Sequence, residues 1–270
     1  MRRIAILIDG GYFLKRLPKL VEPRFCTTPQ QIAESARFLC KRHVQKLTGL
    51  DDGSEADGRW LDQVYRLFYY DASPYSGKSH HPIGNQPIDF GKTETAKARS
   101  ELFAELRSKR KFALRLGHVT QDGGWQIDPR LSKDLLKIRK WADHIEQALL
   151  EDGEAPQLKG QEQRELANLL ERWKGLTEQS VRFGLRQKGV DMRIGLDIAS
   201  MALKQQADTL ILVTGDSDFV PAAKLARREG MEFIVDPLWQ KVSDDLLEHV
   251  DGIVSVYQRP APGQDAKDGN

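Results

Sequence analysis

The chain has 270 residues, of which 40% are hydrophobic and 30% are charged, a balance typical of a globular protein rather than a disordered one. Its net charge is only +2, so the composition excludes the bulk positive charge of a strongly basic nucleic-acid-binding protein. No apolar run reaches the length of a membrane span, and the two cysteines lack metal-binding spacing, which predicts a reduced, cytoplasmic protein without a membrane partner.

The first predicted element is a buried strand. Residues 4–8 are Ile-Ala-Ile-Leu-Ile, and this run ends at Asp9. Such a short apolar run is typical of a parallel strand buried on both faces, and ligand sites in these sheets lie beyond the carboxyl ends of the strands. Gly10 and Gly11 follow and predict a tight turn beside Asp9.

Helical and strand patterns then alternate up to about residue 128. Thr28-Pro29-Gln30-Gln31 has the form of a capping box and predicts a helix that begins at Pro29. The other predicted elements are a polar loop over 51–58, a strand over 64–70 that ends at Asp71, a surface loop over 73–91 with exposed His80 and His81, a helix over 93–109, a strand over 112–119 and a turn at 122–124.

A highly charged stretch over 129–179 is interpreted as an insertion of two amphipathic helices. We expect it to interrupt a single domain over 1–258, because the last predicted strands still need the first to complete a sheet. The Pro, Gly, Asp and Lys content of residues 259–270 predicts a disordered tail. We hypothesise that the insertion forms a lid or a contact between copies in a homo-oligomer. Its first helix carries the apolar residues Leu135, Ile138, Trp141, Ile145 and Leu149.

The last third of the chain again alternates between the two types of element. The patterns predict helices over 192–205 and 220–229, strands over 209–213 and 233–236, and an edge strand over 253–256. Alternating strands and helices predict an α/β fold with a mostly parallel, doubly wound sheet.

A second carboxylate motif follows the predicted strand 209–213. Asp216 and Asp218 flank Ser217 directly after this strand, as Asp9 follows the first. If the two strands are neighbours, three carboxylates meet at one edge of the sheet. Like charges this close need a cation between them, and oxygen ligands suit a hard divalent metal. Alternatively, Asp218 could simply cap the helix that follows. One carboxylate can be both a helix cap and a metal ligand.

Two further carboxylates lie on the predicted helix that precedes this motif. Asp191 and Asp197 flank its apolar stripe on opposite sides, roughly 9 Å apart along the axis. One is expected to bind the metal directly and the other to support it. The alternative for Asp191 is an ordinary helix cap.

Substrate contacts are predicted close to these motifs. Lys188, together with Lys15 and Arg16, could hold phosphates, although a solvated charged surface is the default for any one of them. Tyr12 could stack on a base. Thr214 and Ser217 could add hydroxyl contacts or simply be turn residues.

Four segments together resemble the NYN domain, a PIN-like nuclease fold of the LabA/DUF88 group. The resemblance implies a Rossmann-like three-layer α/β sandwich with an acidic pocket that binds Mg²⁺ or Mn²⁺, and ribonuclease activity for many members. It carries catalytic roles to Asp9, Asp191, Asp197, Asp216 and Asp218, of which all but Asp197 are assigned as metal ligands. Many NYN domains have an asparagine where this chain has Tyr12. The four segments are Ile8-Asp9-Gly10-Gly11-Tyr12, Lys188-Gly189-Val190-Asp191, Asp197, and the stretch from Val213 to Pro221.

The leading interpretation is a metal-dependent endoribonuclease acting on single-stranded RNA, with DNA left open as a substrate. The alternative is a non-catalytic regulator that binds RNA or protein and retains the fold. A haloacid dehalogenase-type phosphatase ranks low, because its Asp-x-Asp strand normally comes first in the chain. A dinucleotide-binding protein ranks lower, because the glycine pair lacks the third glycine at its required spacing.

Overall fold

The computed structural model describes residues 3–50, 58–143, 145–146 and 160–260. The chain divides into two compact units, each with its own internal contacts. Within the described residues, no helix is both long enough and apolar enough to cross a membrane. Unit 1 comprises Met1–Ser76, Phe90–Val119 and Gln187–Asn270, and unit 2 comprises Gly77–Asp89 and Thr120–Arg186, which includes the predicted insertion.

The described residues form strands and helices at the following positions. The strands are β1 (Ile4–Asp9), β2 (Val64–Ser73), β3 (Lys78–His80), β4 (Pro87–Asp89), β5 (Phe112–Ile127), β6 (Val181–Lys188), β7 (Thr209–Val213), β8 (Glu232–Asp236) and β9 (Gly252–Ile253). The α-helices are α1 (Gly10–Arg16), α2 (Pro29–Thr48), α3 (Glu94–Ser108), α4 (Pro129–Leu136), α5 (Gly160–Lys174), α6 (Val190–Leu203), α7 (Val220–Arg228) and α8 (Asp244–Glu248).

The central sheet has seven strands in the order β6-β5-β2-β1-β7-β8-β9. β1 pairs in parallel with β2 on one side and β7 on the other, and β8 pairs in parallel with β7. The predicted α/β fold with a mostly parallel sheet is therefore confirmed. Parallel pairing also places the carboxyl ends of β1, β2, β7 and β8 at the same edge.

Unit 1 has helices on both faces of its strands. Ile4, Ile6 and Ile8 pack in one apolar cluster with residues of α1, α2 and α3. Ala5 and Leu7 face the opposite side and pack in a second cluster with residues of α6, α7 and α8. Because successive side chains of a strand point to opposite faces, a strand in the middle layer requires an apolar run such as residues 4–8 of β1.

The predicted start of α2 at Pro29 is confirmed. The side chain of Thr28 accepts from the backbone N–H of Gln31, and the side chain of Gln31 accepts from the N–H of Thr28. This capping box begins α2, and Gly49 ends it with φ at 68°, a conformation that glycine adopts without strain.

The predicted turn at Gly10 and Gly11 is wrong, because α1 begins directly at Gly10. The glycine is needed for packing: a Cβ at Gly10 would lie 2.5 Å from Tyr69 Cε1 and 2.6 Å from the Tyr70 carbonyl oxygen. Close approach of α1 to β2, rather than chain reversal, therefore explains this residue.

Other sequence-based assignments in the middle of the chain also need correction. The predicted loop 73–91 contains the antiparallel hairpin of β3 and β4. Residues 122–124 fall within the range of β5, where Gly123 and Gly124 have the left-handed φ angles of turn residues, 75° and 71°. β6 was not predicted, although Val181, Phe183 and Leu185 alternate with other residues in the pattern of a half-buried strand. α4 ends at Leu136 and is followed by a 3₁₀ helix over Lys137–Trp141, and residues 142–143 and 145–146 are again α-helical. Leu149 lies outside the described residues, as do 51–57 of the polar loop and 261–270 of the tail.

His81 is buried in unit 2, whereas the sequence predicted it to be exposed. Its Nε2 lies 3.2 Å from the carbonyl oxygen of Glu178, and its Nδ1 lies 3.3 Å and 3.2 Å from the backbone nitrogens of Ile83 and Gly84. These partners satisfy a neutral imidazole, which donates at Nε2 and accepts at Nδ1. These hydrogen bonds of His81 therefore tie the end of the β3–β4 hairpin to Glu178 within unit 2.

Candidate functional site

Strand register brings the predicted carboxylates to one edge of the sheet. Asp9 is paired with Tyr70 across β1 and β2, so Asp71 lies one residue beyond it. Ile8 is paired with Val213 across β1 and β7, which places the segment 214–218 on the other side of Asp9. The central position of β1 thus explains why carboxylates so distant in sequence can interact.

Asp9 is half-buried and begins α1. Its Oδ1 accepts from the backbone N–H of Tyr12 at 3.1 Å. Burial raises the pKa of Asp9 from its ordinary value of 3.8 to about 6, the Tyr12 hydrogen bond opposes this shift, and the charges of Asp191 and Asp71 add to it. A carboxylate in this setting is charged at neutral pH at an energetic cost, which a nearby cation would remove.

Asp71 belongs to the same electrostatic group, although the sequence analysis gave it no role. It is fully buried at the end of β2 and forms an ion pair with Arg99 of α3. Its Oδ1 accepts from the N–H of Ala72 at 2.7 Å and from Nε2 of Gln187 at 3.4 Å. Burial raises the pKa of Asp71, and the Arg99 guanidinium works against that rise. The strand-end rule that singled out Asp9 applies equally to Asp71, whereas nothing in the sequence marks Arg99.

Asp191 lies in the first turn of α6, where Gly189 is the N-cap, so the alternative role of Asp191 as an ordinary cap is wrong. Partial desolvation raises the pKa of Asp191, and the charges of Asp216 and Asp218 raise it further. The charges of Asp191, Asp216 and Asp218 therefore interact within unit 1, as their predicted proximity requires.

The Asp216–Asp218 motif is exposed and forms a short 3₁₀ turn before α7. The cap of this turn is Asp216, whose Oδ1 accepts from the N–H of Asp218 at 3.0 Å. Asp218 does not cap α7, contrary to the alternative weighed from the sequence. Its carboxylate is consequently available at the surface, beside that of Asp191.

Asp197 has a different environment from the other four predicted carboxylates. Its Oδ2 accepts from the Tyr70 hydroxyl at 2.8 Å and from Arg115 Nε at 3.0 Å. The Arg115 guanidinium in turn lies over the ring of Phe68, 5.2 Å from its centroid. The negative charge of Asp197 is thus already balanced by Arg115. The catalytic role of Asp197 stays a prediction.

The predicted substrate residues are distributed around the acidic edge. The Tyr12 hydroxyl donates to the carbonyl oxygen of Pro237. Thr214 is buried, and its hydroxyl accepts from the N–H of Asp216 at 3.2 Å, which is the behaviour of a turn residue. Ser217 and Lys188 are exposed.

Arg16 is buried, which corrects its assignment as a surface phosphate contact. It donates to the carbonyl oxygen of Leu238 at 3.0 Å and thereby ties α1 to the segment after β8. Lys15, the other cation predicted here, is exposed.

The acidic edge fits a divalent cation, but as an open site. Among the described residues, no three Asp, Glu, His or Cys side chains are grouped closely enough to hold one ion by themselves. Carboxylates that raise one another's pKa are nevertheless a favourable environment for a cation. Mg²⁺ commonly uses one or two carboxylates and completes its coordination with waters and substrate phosphates. This donor set therefore fits an open site for a hard divalent cation better than it fits a closed structural metal site.

A family-model match over part of the chain supports the predicted α/β fold. The family model described as the NYN domain matches residues 156–256, a range that contains Asp191, Asp197, Asp216 and Asp218. No curated protein matches the chain. One similar solved structure is the crystal structure of a protein of unknown function from Vibrio parahaemolyticus, with 17% identity over 94% of this chain and 93% of that chain and a TM-score of 0.39. The predicted resemblance to the NYN domain, a PIN-like nuclease family, is thus confirmed over residues 156–256.

Proposed function

We propose that this chain is a metal-dependent endoribonuclease that hydrolyses the phosphodiester bonds of single-stranded RNA. The observation that carries the proposal is the coupled group of carboxylates at the carboxyl edge of β1, in which the pKa values of Asp9 and Asp191 are both raised. The NYN match supports the same reading, because NYN domains are PIN-like nucleases.

The metal ligands in this proposal are Asp9, Asp191, Asp216 and Asp218. A divalent ion bound by them would lower the pKa of a bound water and offset the negative charge of the phosphate. The resemblance and the open donor set favour Mg²⁺ or Mn²⁺. Sulfur and imidazole ligands, which softer metals prefer, take no part in this carboxylate group.

Neighbouring residues would position these ligands and the substrate. Thr214 accepts from the N–H of Asp216, and Asp71 holds the Gln187 side chain beside Gly11 of α1. Lys188 is exposed next to α6 and is assigned to a substrate phosphate, as a cation without sequence preference. Asp197 is assigned a supporting role, through its hydrogen bond to Tyr70, the residue before Asp71.

A non-catalytic regulator that binds RNA or protein is the second candidate. The open arrangement of the carboxylates favours it, because no three ligand-type side chains among the described residues converge on one point. Such a protein would bind nucleic acid without cleaving it.

Cleavage of end-labelled single-stranded RNA tests the proposal. Mn²⁺ or Mg²⁺ should support cleavage by the native protein, and EDTA should abolish it. Asp216→Asn should reduce the rate by at least about 100-fold, the scale for removal of one electrostatic group from a preorganised site. The matched control is Asp62→Asn, an exposed carboxylate just before the amino end of β2, at the opposite edge of the sheet.

The outcomes separate the two candidates. Cleavage that depends on metal and on Asp216 supports the nuclease, and a parallel assay with single-stranded DNA determines sugar preference. RNA binding without cleavage supports the regulator. A rate that is equal in native protein and Asp216→Asn contradicts the assigned site.

Two further proposals concern the setting of the protein. The two cysteines without metal spacing are consistent with a reducing, cytoplasmic environment. Self-association through the insertion is proposed from its amphipathic helices, and light scattering on the purified protein measures it directly.

A further inference from the structure

The segment after β8 presents an exposed tryptophan on a constrained backbone. Leu238 and Trp239 have φ angles of 48° and 65°, in the left-handed region that residues with a side chain rarely adopt. Leu238 is fully buried, whereas 38% of Trp239 is exposed. Leu238 packs in the core of the protein, so core packing alone does not explain why the exposed residue next to it is a tryptophan. Consecutive left-handed residues are unfavourable, and they persist where surrounding contacts hold them.

Buried polar groups supply those contacts. Asp236, at the end of β8, accepts from the N–H of Leu238 at 2.8 Å and from the hydroxyl of Ser255 at 2.7 Å. Its other oxygen lies 2.7 Å from Nε2 of His43 on α2. Arg16 holds the carbonyl oxygen of Leu238 from the side of α1. The segment is thus fixed from α1, α2 and the chain after β9.

The indole ring itself is also oriented. Nε1 of Trp239 donates to the carbonyl oxygen of Tyr257 at 2.9 Å, and its backbone N–H donates to Ser255 at 3.2 Å. The guanidinium of Arg259 lies 5.6 Å from the ring centroid. A tryptophan held in this way loses little further freedom when a planar ligand stacks on it, and the exposed arginine adds positive charge beside it.

Tyr12 connects this segment to the acidic edge. Its N–H binds Asp9, and its hydroxyl donates to Pro237, two residues before Trp239 and therefore roughly 7 Å away along the backbone at most. Its ring lies against Gly215, where an added Cβ would come within 2.7 Å of Cε2. One side chain thus contacts Gly215, next to Asp216, and Pro237, two residues before Trp239, so the segments that carry Asp216 and Trp239 both pack against Tyr12 in unit 1.

We propose that Trp239 and Arg259 form a base-stacking subsite for the single-stranded nucleic acid whose phosphates lie at the acidic edge. The identity of this ligand rests on the proposed function. Aromatic side chains bind every base through its π-face, and a neighbouring arginine contributes to stacking and to phosphate attraction. Exposed Lys241 lies two residues beyond Trp239 and adds a further cation.

Binding without metal tests the subsite separately from catalysis. Fluorescein-labelled oligouridine RNA is titrated with the full-length protein at low salt in EDTA, and fluorescence anisotropy gives the Kd. Trp239→Ala should raise the Kd at least about fivefold, the lower limit for loss of one stacked base. Trp239→Phe and Arg259→Ala should cause smaller losses. The matched control is Trp173→Ala, because Trp173 is 45% exposed on α5 in unit 2.

An abasic scan identifies the contact as stacking. A single abasic nucleotide is moved along the oligomer, and one position should weaken binding to the native protein but not to Trp239→Ala. If Trp239→Ala does not fold, as judged by circular dichroism, Arg259→Ala and the scan on the native protein give the answer. Equal Kd values for the native and altered proteins, equal sensitivity at every abasic position, or no binding by the native protein would each overturn the subsite.

The subsite and the nuclease can fail independently. Binding that depends on Trp239 without any Mn²⁺-dependent cleavage supports the subsite and contradicts the nuclease. Cleavage by a protein whose RNA affinity is unaffected by Trp239→Ala gives the reverse result.

Discussion

Burial raises the pKa of Asp9 to about 6, so its carboxylate is charged in the folded protein only above that pH. Between about 3.8 and 6 the folded state binds more protons than the unfolded state. The free energy of unfolding therefore decreases as pH rises through this window. Above pH 6 the charged Asp9 destabilises the metal-free protein, and only a cation or the loss of the charge relieves this.

Asp9→Asn should consequently stabilise the metal-free protein at pH 7.5, by up to about 3 kcal/mol for a shift of this size. The gain should shrink to well under about 1 kcal/mol near pH 4, where Asp9 is neutral in the folded state and partly protonated in the unfolded state. Chemical denaturation in EDTA at the two pH values measures it. Asp62→Asn serves as the control and should change stability at neither pH, whereas a loss of stability in Asp9→Asn at pH 7.5 would contradict the assigned environment.

The same shift predicts a pH dependence for catalysis. A metal ligand must be deprotonated, so Mn²⁺ affinity and RNA cleavage should both fall below about pH 6. Cleavage rates across pH 5–8 at fixed Mn²⁺ measure this, and higher Mn²⁺ should move the midpoint to lower pH. A rate that is independent of pH between 5 and 7 would argue against Asp9 as a ligand.

Asp71 and Arg99 illustrate the cost of a buried ion pair that loses one partner. Arg99→Met should destabilise unit 1 by about 3 kcal/mol or more at pH 7, because it leaves the fully buried Asp71 without its cation. The double variant Asp71→Asn with Arg99→Met should recover most of that loss. Denaturant titration of Asp71→Asn, Arg99→Met and the double variant gives the coupling free energy between the two side chains. If the loss of stability in the double variant equals the sum of the two single losses, the pair does not interact.

At the scale of elements, α6 carries Asp191 into the site and depends on an unusual start. Its N-cap is Gly189 at φ 77°, and the helix contains Gly195, whose Cβ position is empty. The backbone conformation requires glycine at position 189 but not at position 195. Gly189 provides the left-handed residue that turns the chain from β6 into α6, whereas Gly195 only weakens the helix.

Alanine at each glycine should therefore have opposite effects. Gly189→Ala should destabilise by about 1–2 kcal/mol, because alanine resists the left-handed conformation. Gly195→Ala should stabilise by about 0.5–1 kcal/mol, since it adds no contact and improves helix propensity. Thermal and denaturant unfolding measure both. Gly189→Ala should also reduce Mn²⁺ affinity through displacement of Asp191, and an unchanged affinity would show that the cap does not position it.

At the scale of the whole molecule, cation binding should be linked to folding. Mn²⁺ at a hundredfold excess over its Kd should add about 2.7 kcal/mol, which corresponds to an increase in Tm of roughly 5–10 °C. Asp216→Asn should lose most of this increase, and Asp62→Asn should retain it. Differential scanning calorimetry with and without Mn²⁺ tests the prediction. An equal increase in both variants would indicate binding elsewhere on the chain.

The sequence by itself determined the features that depend on local pattern. Apolar runs identify β1 and β7 because a strand in the middle layer is buried on both faces. The rule that ligands lie beyond strand ends then selects Asp9, Asp216 and Asp218 before any contact is known. The capping box at Thr28 is equally local, since its partners are three residues apart.

The tertiary structure decided which side chains share an environment. Arg99 reaches Asp71, Arg115 balances Asp197, and Arg16 is buried against the segment that carries Trp239. These partners are 28, 82 and 222 residues apart, and no local periodicity relates them. Strand register and helix packing bring them together, because a charge that leaves water must be compensated by whatever group the fold places beside it.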